Sequence, residues 1–223
     1  MNFLSHFYFD RFNKNPHQVI GMVLPDLLKN ARKDWSLRPE KHIAEYQDTA
    51  LLDIYTGWNR HIEVDKHFHC SDFFFQHTRQ IREEVTPCLA NSPARPFFVA
   101  HIALELMLDS LLLTEGLVET ELFYSHLKNA DVGLLSTFLS INKIDDSGKF
   151  FLFLDEFIKW KYLESYRDPE QIVYALNRIC LRIWDKPFDE EEKTLLKEIV
   201  VNYLKNLQSD YMRIFEEIEG RLG

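Results

Sequence analysis

The segment that decides the fold is the most apolar in the chain, and it reads Val99-Ala100-His101-Ile102-Ala103-Leu104-Glu105-Leu106-Met107-Leu108-Asp109-Ser110-Leu111-Leu112-Leu113. Its apolar side chains would cover nearly the whole circumference of a helix, which is typical of a helix buried in a core. Pro93 and Pro96 precede it and Gly116 follows it, as helix start and stop signals do. The segment therefore predicts a buried helix.

The ionisable side chains of this helix share one face. His101, Glu105 and Asp109 recur at four-residue spacing. An unpaired carboxylate is costly in apolar surroundings, so these groups need a partner such as a metal ion, a histidine or an arginine. The alternative is an amphipathic helix that shows its polar stripe to water. We interpret all three residues as candidate metal ligands.

A second set of the same kind lies between Gly57 and His69, where His61, Asp65 and His69 also recur every four residues. In a helix these three side chains project from one face. Imidazole and carboxylate groups at that spacing can converge on a metal ion or on a phosphate-bound water. The alternative is an ordinary polar helix face.

Two single residues are more ambiguous. Asp26 follows the apolar run that begins at Gly21, and its simplest role is the N-cap of a short helix through Leu27 and Leu28. His6 stands among aromatic residues near the start of the chain, where a histidine is more typical of a hydrogen-bonded core than of a ligand set.

The rest of the chain favours helices over strands. It has seven glycines and eight prolines, and no Asn-Gly or Asp-Gly pair stands between alternating apolar runs. Apolar residues recur instead every three to four positions, most clearly from Leu195 to Ile218, which predicts one long amphipathic helix. Further helix starts are predicted at Asn15-Pro16, Pro39, Ser71 or Asp72, and Asp168-Pro169.

These signals predict an all-α protein: one helical bundle of roughly eight helices over residues 1–223. A polar connector over residues 142–148 divides it loosely. Nearly all the histidines precede this connector, in residues 1–141, and the helices of residues 149–223 are expected to complete the bundle.

Composition restricts the environment and the partners. Apolar residues make up 46% and charged residues 27%, a balance typical of globular proteins. The start of the chain has no basic region before an apolar run, and no stretch reaches the roughly 18 uncharged apolar residues of a spanning helix. Three cysteines without CxxC spacing suggest reduced thiols. We expect a cytoplasmic protein with no membrane partner.

The formal net charge of −9 argues against a nucleic-acid partner, because affinity for nucleic acid comes mainly from phosphate neutralisation. The densest basic cluster contains Lys29, Arg32 and Lys33. Such a short charge run is usually only a solvated helix end. The oligomeric state stays open.

Four features in the first half of the chain together resemble the acyl carrier protein phosphodiesterases. They are the Asn-Phe-Leu-x-His start that ends at His6, the run from Gly21 to Asp26, the segment from His61 to Asp65, and His101 in its apolar helix. That family is similar to the HD-type metal-dependent phosphohydrolases. The resemblance therefore implies an HD-domain-like helical fold and a hydrolase that uses Mn²⁺ or Mg²⁺.

The resemblance implies a substrate and residue roles as well. The reaction would release 4′-phosphopantetheine from holo acyl carrier protein, within fatty acid biosynthesis and lipid metabolism. Asp26, His61 and Asp65 would be catalytic, beside a divalent ion for which the candidate ligands are His6, Asp26, His61, Asp65, His101, Glu105 and Asp109. Because acyl carrier protein is acidic, the substrate contacts would come from Lys29, Arg32, Lys33, Arg60 and His69.

The chain departs from the family pattern at two positions. Ala100 stands where the family has the aspartate that precedes the helix histidine, and His69 stands where an aspartate is expected. Glu105 and Asp109 could supply carboxylates one or two helical turns further on. Two alternatives follow: a phosphohydrolase acting on a nucleotide or another small phosphodiester, and a non-catalytic helical binding protein with a degenerate site.

Overall fold

The computed structural model describes residues 1–222, and it confirms the predicted all-α class, with no strand among those residues. Gly223, the last residue of the predicted bundle, lies outside the described residues. The α-helices are α1 (Phe3–Tyr8), α2 (Pro16–Ala31), α3 (Thr49–His69), α4 (Asp72–Cys88), α5 (Pro96–Thr114), α6 (Thr120–Asn129), α7 (Val132–Ile141), α8 (Gly148–Trp160), α9 (Pro169–Cys180), α10 (Glu190–Leu207) and α11 (Met212–Leu222). Short 3-10 helices span Pro39–Lys41, Ile43–Glu45 and Tyr162–Arg167.

The structure corrects two predicted helix boundaries. The helix predicted to begin at Pro39 begins at Thr49, where Asp48 Oδ1 accepts a hydrogen bond from the Ala50 amide at 2.8 Å. The predicted C-terminal helix is broken between α10 and α11, where the Asp210 and Tyr211 amides both turn back to the Leu207 carbonyl. The apolar spacing continues across this turn, so the pattern alone does not reveal the break.

The N-cap interpretation of Asp26 is wrong, because α2 continues through Pro25 and places Asp26 inside the helix. Proline removes one helical hydrogen bond, but the buried apolar side chains that flank it hold the helix in place. The true cap is Asn15, whose side chain accepts from the His17 amide at 3.0 Å. The Asn15-Pro16 start is therefore confirmed.

Backbone contacts divide the chain into two compact units. The first unit contains residues 1–5 and 65–117, together with the described residues from Leu163 onward. In it α5 packs against α4 and α9, and α10 packs against the same two helices. The second unit contains residues 6–64 and 118–162, and in it α2 packs against α6 and α8. That all the helices form one bundle over residues 1–223 stays a prediction from the sequence.

The central helix of the first unit is α5, as its sequence predicts. Twelve of its side chains are buried, including every one from Leu106 to Leu113. By length and composition α5 could also cross a membrane, but 67% of its most apolar window is buried inside the protein. That burial is what a core helix requires.

Two glycines let α2 and α3 approach closely in the second unit. A Cβ atom added at Gly57 would lie 2.0 Å from the Gln18 carbonyl oxygen, and one at Gly21 would lie 2.2 Å from the Ile54 carbonyl oxygen. Asp53 joins the same helices by accepting hydrogen bonds from Asn15 and Gln18, both at 2.8 Å. His61 follows Gly57 by one helical turn, so this contact positions its ring.

Gly57→Ala is expected to lower the free energy of unfolding by about 1–3 kcal/mol, because the added methyl group must push two backbones apart. Gly220→Ala is the matched control, since a Cβ there meets no atom within 4 Å. Urea denaturation measures both variants. Equal stabilities would contradict the close contact.

Candidate metal centre

Three side chains of the first unit bring ligand atoms together. His69 comes from the last turn of α3, and His101 and Glu105 lie one turn apart on α5. His69 Nε2 is 3.1 Å from His101 Nε2, His101 Nε2 is 2.9 Å from Glu105 Oε1, and Glu105 Oε1 is 3.4 Å from His69 Nε2. We call these three residues the ligand triad.

The three separations fit ligands of one metal ion. With metal–ligand bonds of about 2.1 Å, two ligand atoms stand about 3.0 Å apart at a right angle and about 3.4 Å apart at the tetrahedral angle. Two imidazole nitrogens and one carboxylate oxygen are also a common donor set for divalent transition metals. The triad therefore has the spacing and the chemistry of a metal site.

A backbone hydrogen bond selects the useful tautomer of His69. Its Nδ1 lies 2.8 Å from the Asp65 carbonyl oxygen, which can only accept, so Nδ1 carries the proton and donates it. The neutral ring then has its lone pair on Nε2, the atom that faces His101 and Glu105. Metal-binding histidines are commonly oriented by such a hydrogen bond from the other nitrogen.

The triad is open to solvent on the histidine side. The side chains of His69 and His101 are 32% and 34% exposed, whereas Glu105 is 13% exposed. Three protein ligands with one open side leave room for water or substrate, as catalytic metal sites do.

The carboxylate of Glu105 is held in its charged form. Burial raises the pKa of Glu105, but the positive Met1 nitrogen and the hydrogen bond from His101 lower it by more, so its pKa lies well below the usual range. The Met1 nitrogen is 3.2 Å from Glu105 Oε1 and 2.6 Å from Asp65 Oδ1. Asp65 and Glu105 thus share the positive charge of the Met1 nitrogen.

Asp109 does not join the triad; it holds the start of the chain. Its Oδ1 accepts from the Ser5 amide at 2.7 Å and the Ser5 hydroxyl at 2.6 Å, and its Oδ2 accepts from the Leu4 amide at 3.1 Å. Burial raises the pKa of Asp109 to about 7 against these hydrogen bonds. The carboxylate therefore satisfies donors in the first turn of α1, which have no partner inside the helix.

Three of the other predicted metal ligands, His6, Asp26 and His61, belong to the second unit. The rings of His6 and His61 stack with centroids 3.9 Å apart. His61 Nδ1 donates to the Met22 carbonyl oxygen at 2.8 Å, which leaves its lone pair on Nε2. Asp26 lies in α2, where its carbonyl accepts from Asn30.

The predicted substrate contacts divide between the units. Lys29, Arg32 and Lys33 are exposed at the end of α2 in the second unit, and Arg32 makes two hydrogen bonds to Asp34, at 2.7 and 2.8 Å. Arg60 lies in the same unit; burial raises the pKa of the nearby Asp10 carboxyl group, and the charge of Arg60 opposes that shift. His69, by contrast, lies in the ligand triad.

Ala100 stands where the pattern of the resembled family has an aspartate, and it offers no carboxylate. Its side chain is fully buried. The carboxylate that stands next to His101 in space comes from Glu105, one helical turn further along α5. In the sequence, only the four-residue spacing of His101 and Glu105 indicated that Glu105 could supply the carboxylate that Ala100 lacks.

A cluster around the buried His77 is not indicated by any pattern in the sequence. His77 Nδ1 is 2.7 Å from the Tyr203 hydroxyl, and His77 Nε2 is 3.2 Å from Asp210 Oδ2. Its partners lie more than 120 positions away along the chain, and no spacing rule could connect them. Burial lowers the pKa of His77, although the hydrogen bond to Asp210 opposes this shift.

The His77 shift predicts a pH dependence of stability. A histidine whose pKa is lowered by folding contributes stability above its unfolded pKa of 6.5, and this stability is lost as the pH falls through the folded pKa. We expect the contribution of His77 to the free energy of unfolding to fall below pH 6.5 by up to about 1.4 kcal/mol per pH unit, while Asp109, whose pKa is raised by burial, acts in the opposite direction in both the wild type and the variant. Urea titrations from pH 7.5 to 5 should show a smaller slope for His77→Gln, and an identical slope would contradict the assignment.

Comparisons of this chain with protein-family models, with curated proteins and with solved structures found no match in any of the three.

Proposed function

We propose that the chain is a divalent-metal-dependent phosphodiesterase whose ion is held by His69, His101 and Glu105. The observation that carries the proposal is the ligand triad, in which three ligand atoms stand 2.9, 3.1 and 3.4 Å apart. Because two of the three donors are imidazole nitrogens, the set suits Mn²⁺ better than Mg²⁺, which prefers oxygen ligands.

The chemistry proposed is hydrolysis of a phosphodiester. A divalent ion held here would lower the pKa of a bound water and polarise a phosphoryl oxygen. The water oxygen forms a bond to phosphorus, one P–O ester bond breaks, and the alcohol leaves with a proton. The products are a phosphomonoester and the alcohol.

The residues around the triad have distinct tasks in this proposal. The Asp65 carbonyl orients His69, and Glu105 supplies a fixed negative charge. The Asp65 side chain is about a third exposed and is the proposed acceptor of the water's proton; it lies beside the triad, because the Met1 nitrogen is 2.6 Å from its Oδ1 and 3.2 Å from Glu105 Oε1. The exposed faces of His69 and His101 form the side from which the substrate approaches.

The acyl carrier protein substrate rests on the sequence resemblance alone. Its proposed docking contacts are Lys29, Arg32 and Lys33, and the charge of Arg32 is already matched by Asp34. A small phosphodiester needs no such docking surface. The assay must therefore include both kinds of substrate.

The test is metal removal and restoration on the purified chain. With Mn²⁺, we expect release of 4′-phosphopantetheine from holo acyl carrier protein, measured by mass spectrometry, or hydrolysis of bis(4-nitrophenyl) phosphate, measured by absorbance. Excess EDTA should abolish the reaction, and Mn²⁺ should restore it. Persistent activity in EDTA, or no hydrolysis of either substrate with Mn²⁺, would contradict the proposal and favour a binding protein.

A further inference from the structure

A groove of about 330 Å³ opens beside His101 in the first unit. One wall is α4, which contributes Phe74, Phe75, Thr78, Arg79 and Arg82, and the other is the first two turns of α5, which contribute Phe97 and His101. The volume lies at the small end of the range of about 300–1,000 Å³ that small-molecule sites occupy. His101, a member of the ligand triad, is among the residues that line the groove.

The apolar part of the groove is aromatic and faces solvent. Phe75 and Phe97 are 59% and 57% exposed. Covering these rings would be favourable, because it would remove their apolar surface from water. Phe74 contacts the rings of His69 and His101 edge-on, with centroids 5.0 Å away in both cases. Exposed aromatic faces of this kind are platforms on which planar rings stack.

The polar part of the groove is positively charged. Arg79 pairs with Glu83 at 3.0 Å, but both side chains are well exposed, so this pair exchanges easily with another anion. Arg82 has no acidic partner within ion-pair distance in residues 1–222. Two guanidinium groups in a chain of net charge −9 favour a phosphate, which arginine can bind through two parallel hydrogen bonds.

We propose that this groove selects the substrate, and that the substrate is a small phosphodiester bearing a planar aromatic ring. The ring stacks on Phe75 and Phe97, and the anionic part lies against Arg79 and Arg82. The inference rests on the proposed function for the chemistry at the triad, whereas the groove itself binds its ligand without metal. The net negative charge and the small volume exclude a long nucleic acid as occupant.

The test measures binding of three probes to the full chain in EDTA by isothermal titration calorimetry. The probes are AMP, which has a ring and a phosphate, ribose 5-phosphate, which lacks the ring, and adenosine, which lacks the phosphate. We expect AMP to bind at least about 10-fold more tightly than either of the others. Equal affinities would overturn the inference, as would tighter binding of dodecyl phosphate, which offers an aliphatic chain instead of a ring.

Paired variants separate the two parts of the groove. Arg82→Gln is expected to weaken AMP and ribose 5-phosphate by about 10-fold and to leave adenosine unchanged. Phe97→Ala is expected to weaken AMP and adenosine by about 10-fold and to leave ribose 5-phosphate unchanged. The controls are Arg178→Gln and Tyr174→Ala, two exposed residues of α9, and they should change nothing. Equal losses in variants and controls would overturn the inference.

Repeating the AMP titration with Mn²⁺ distinguishes this inference from the proposed function. If AMP binds in EDTA and the chain takes up no Mn²⁺, the groove assignment stands and the metal assignment fails. If the chain takes up Mn²⁺ and AMP does not bind, the metal assignment stands and the groove assignment fails.

Discussion

Glu105→Gln is expected to weaken Mn²⁺ binding by more than about 100-fold, because it removes the only carboxylate of the ligand triad. Changes to residues that merely orient a ligand already cost 10- to 100-fold in metal affinity, and loss of a charged ligand should exceed that. The substitution keeps the size of the side chain. The loss can therefore be assigned to the charge rather than to a cavity.

Mn²⁺ affinity is measured by isothermal titration calorimetry, and circular dichroism shows whether the helices persist. The control is Glu216→Gln, an equal change of charge at an exposed position in the same unit. Unchanged affinity in Glu105→Gln, or an equal loss in Glu216→Gln, would show that Glu105 is not a ligand.

Asp109→Ala is expected to lower the free energy of unfolding by about 3–5 kcal/mol, although Asp109 lies outside the triad. The fully buried carboxylate accepts from two amides and one hydroxyl, and the variant leaves all three donors buried without a partner. The methyl group that remains also leaves a cavity. Urea denaturation at pH 7.5 measures the loss.

Asp185→Ala is the control for this prediction, since Asp185 is exposed. Asp109→Asn should lose less than Asp109→Ala, because one amide oxygen still accepts while the amide nitrogen faces other donors. A loss below about 1 kcal/mol in Asp109→Ala would mean that water satisfies these donors instead. The structural role given to Asp109 would then be incorrect.

The features that depend on local sequence were predictable. Asn15 caps α2 as expected, and the apolar run from Val99 to Leu113 forms a buried helix. The four-residue spacing also picked out both polar faces that carry candidate ligands. Each of these signals is contained within one helix, where spacing determines which side chains share a face.

The pairing of those faces was not predictable, because it depends on how two helices pack. His69 is 32 positions from His101, and no local pattern shows that the end of α3 meets the second turn of α5. The sequence therefore suggested His69 as a substrate contact, whereas the structure places it beside His101 and Glu105. The same limit applies to the His77 cluster and to the groove between α4 and α5.

The most direct test of the metal centre is a crystal grown with Mn²⁺ and measured for anomalous scattering at a wavelength where manganese dominates. We predict one strong peak within about 2.0–2.3 Å of His69 Nε2, His101 Nε2 and a carboxylate oxygen of Glu105. A map with no peak at these three atoms, or with its manganese peak bound elsewhere, would contradict the account.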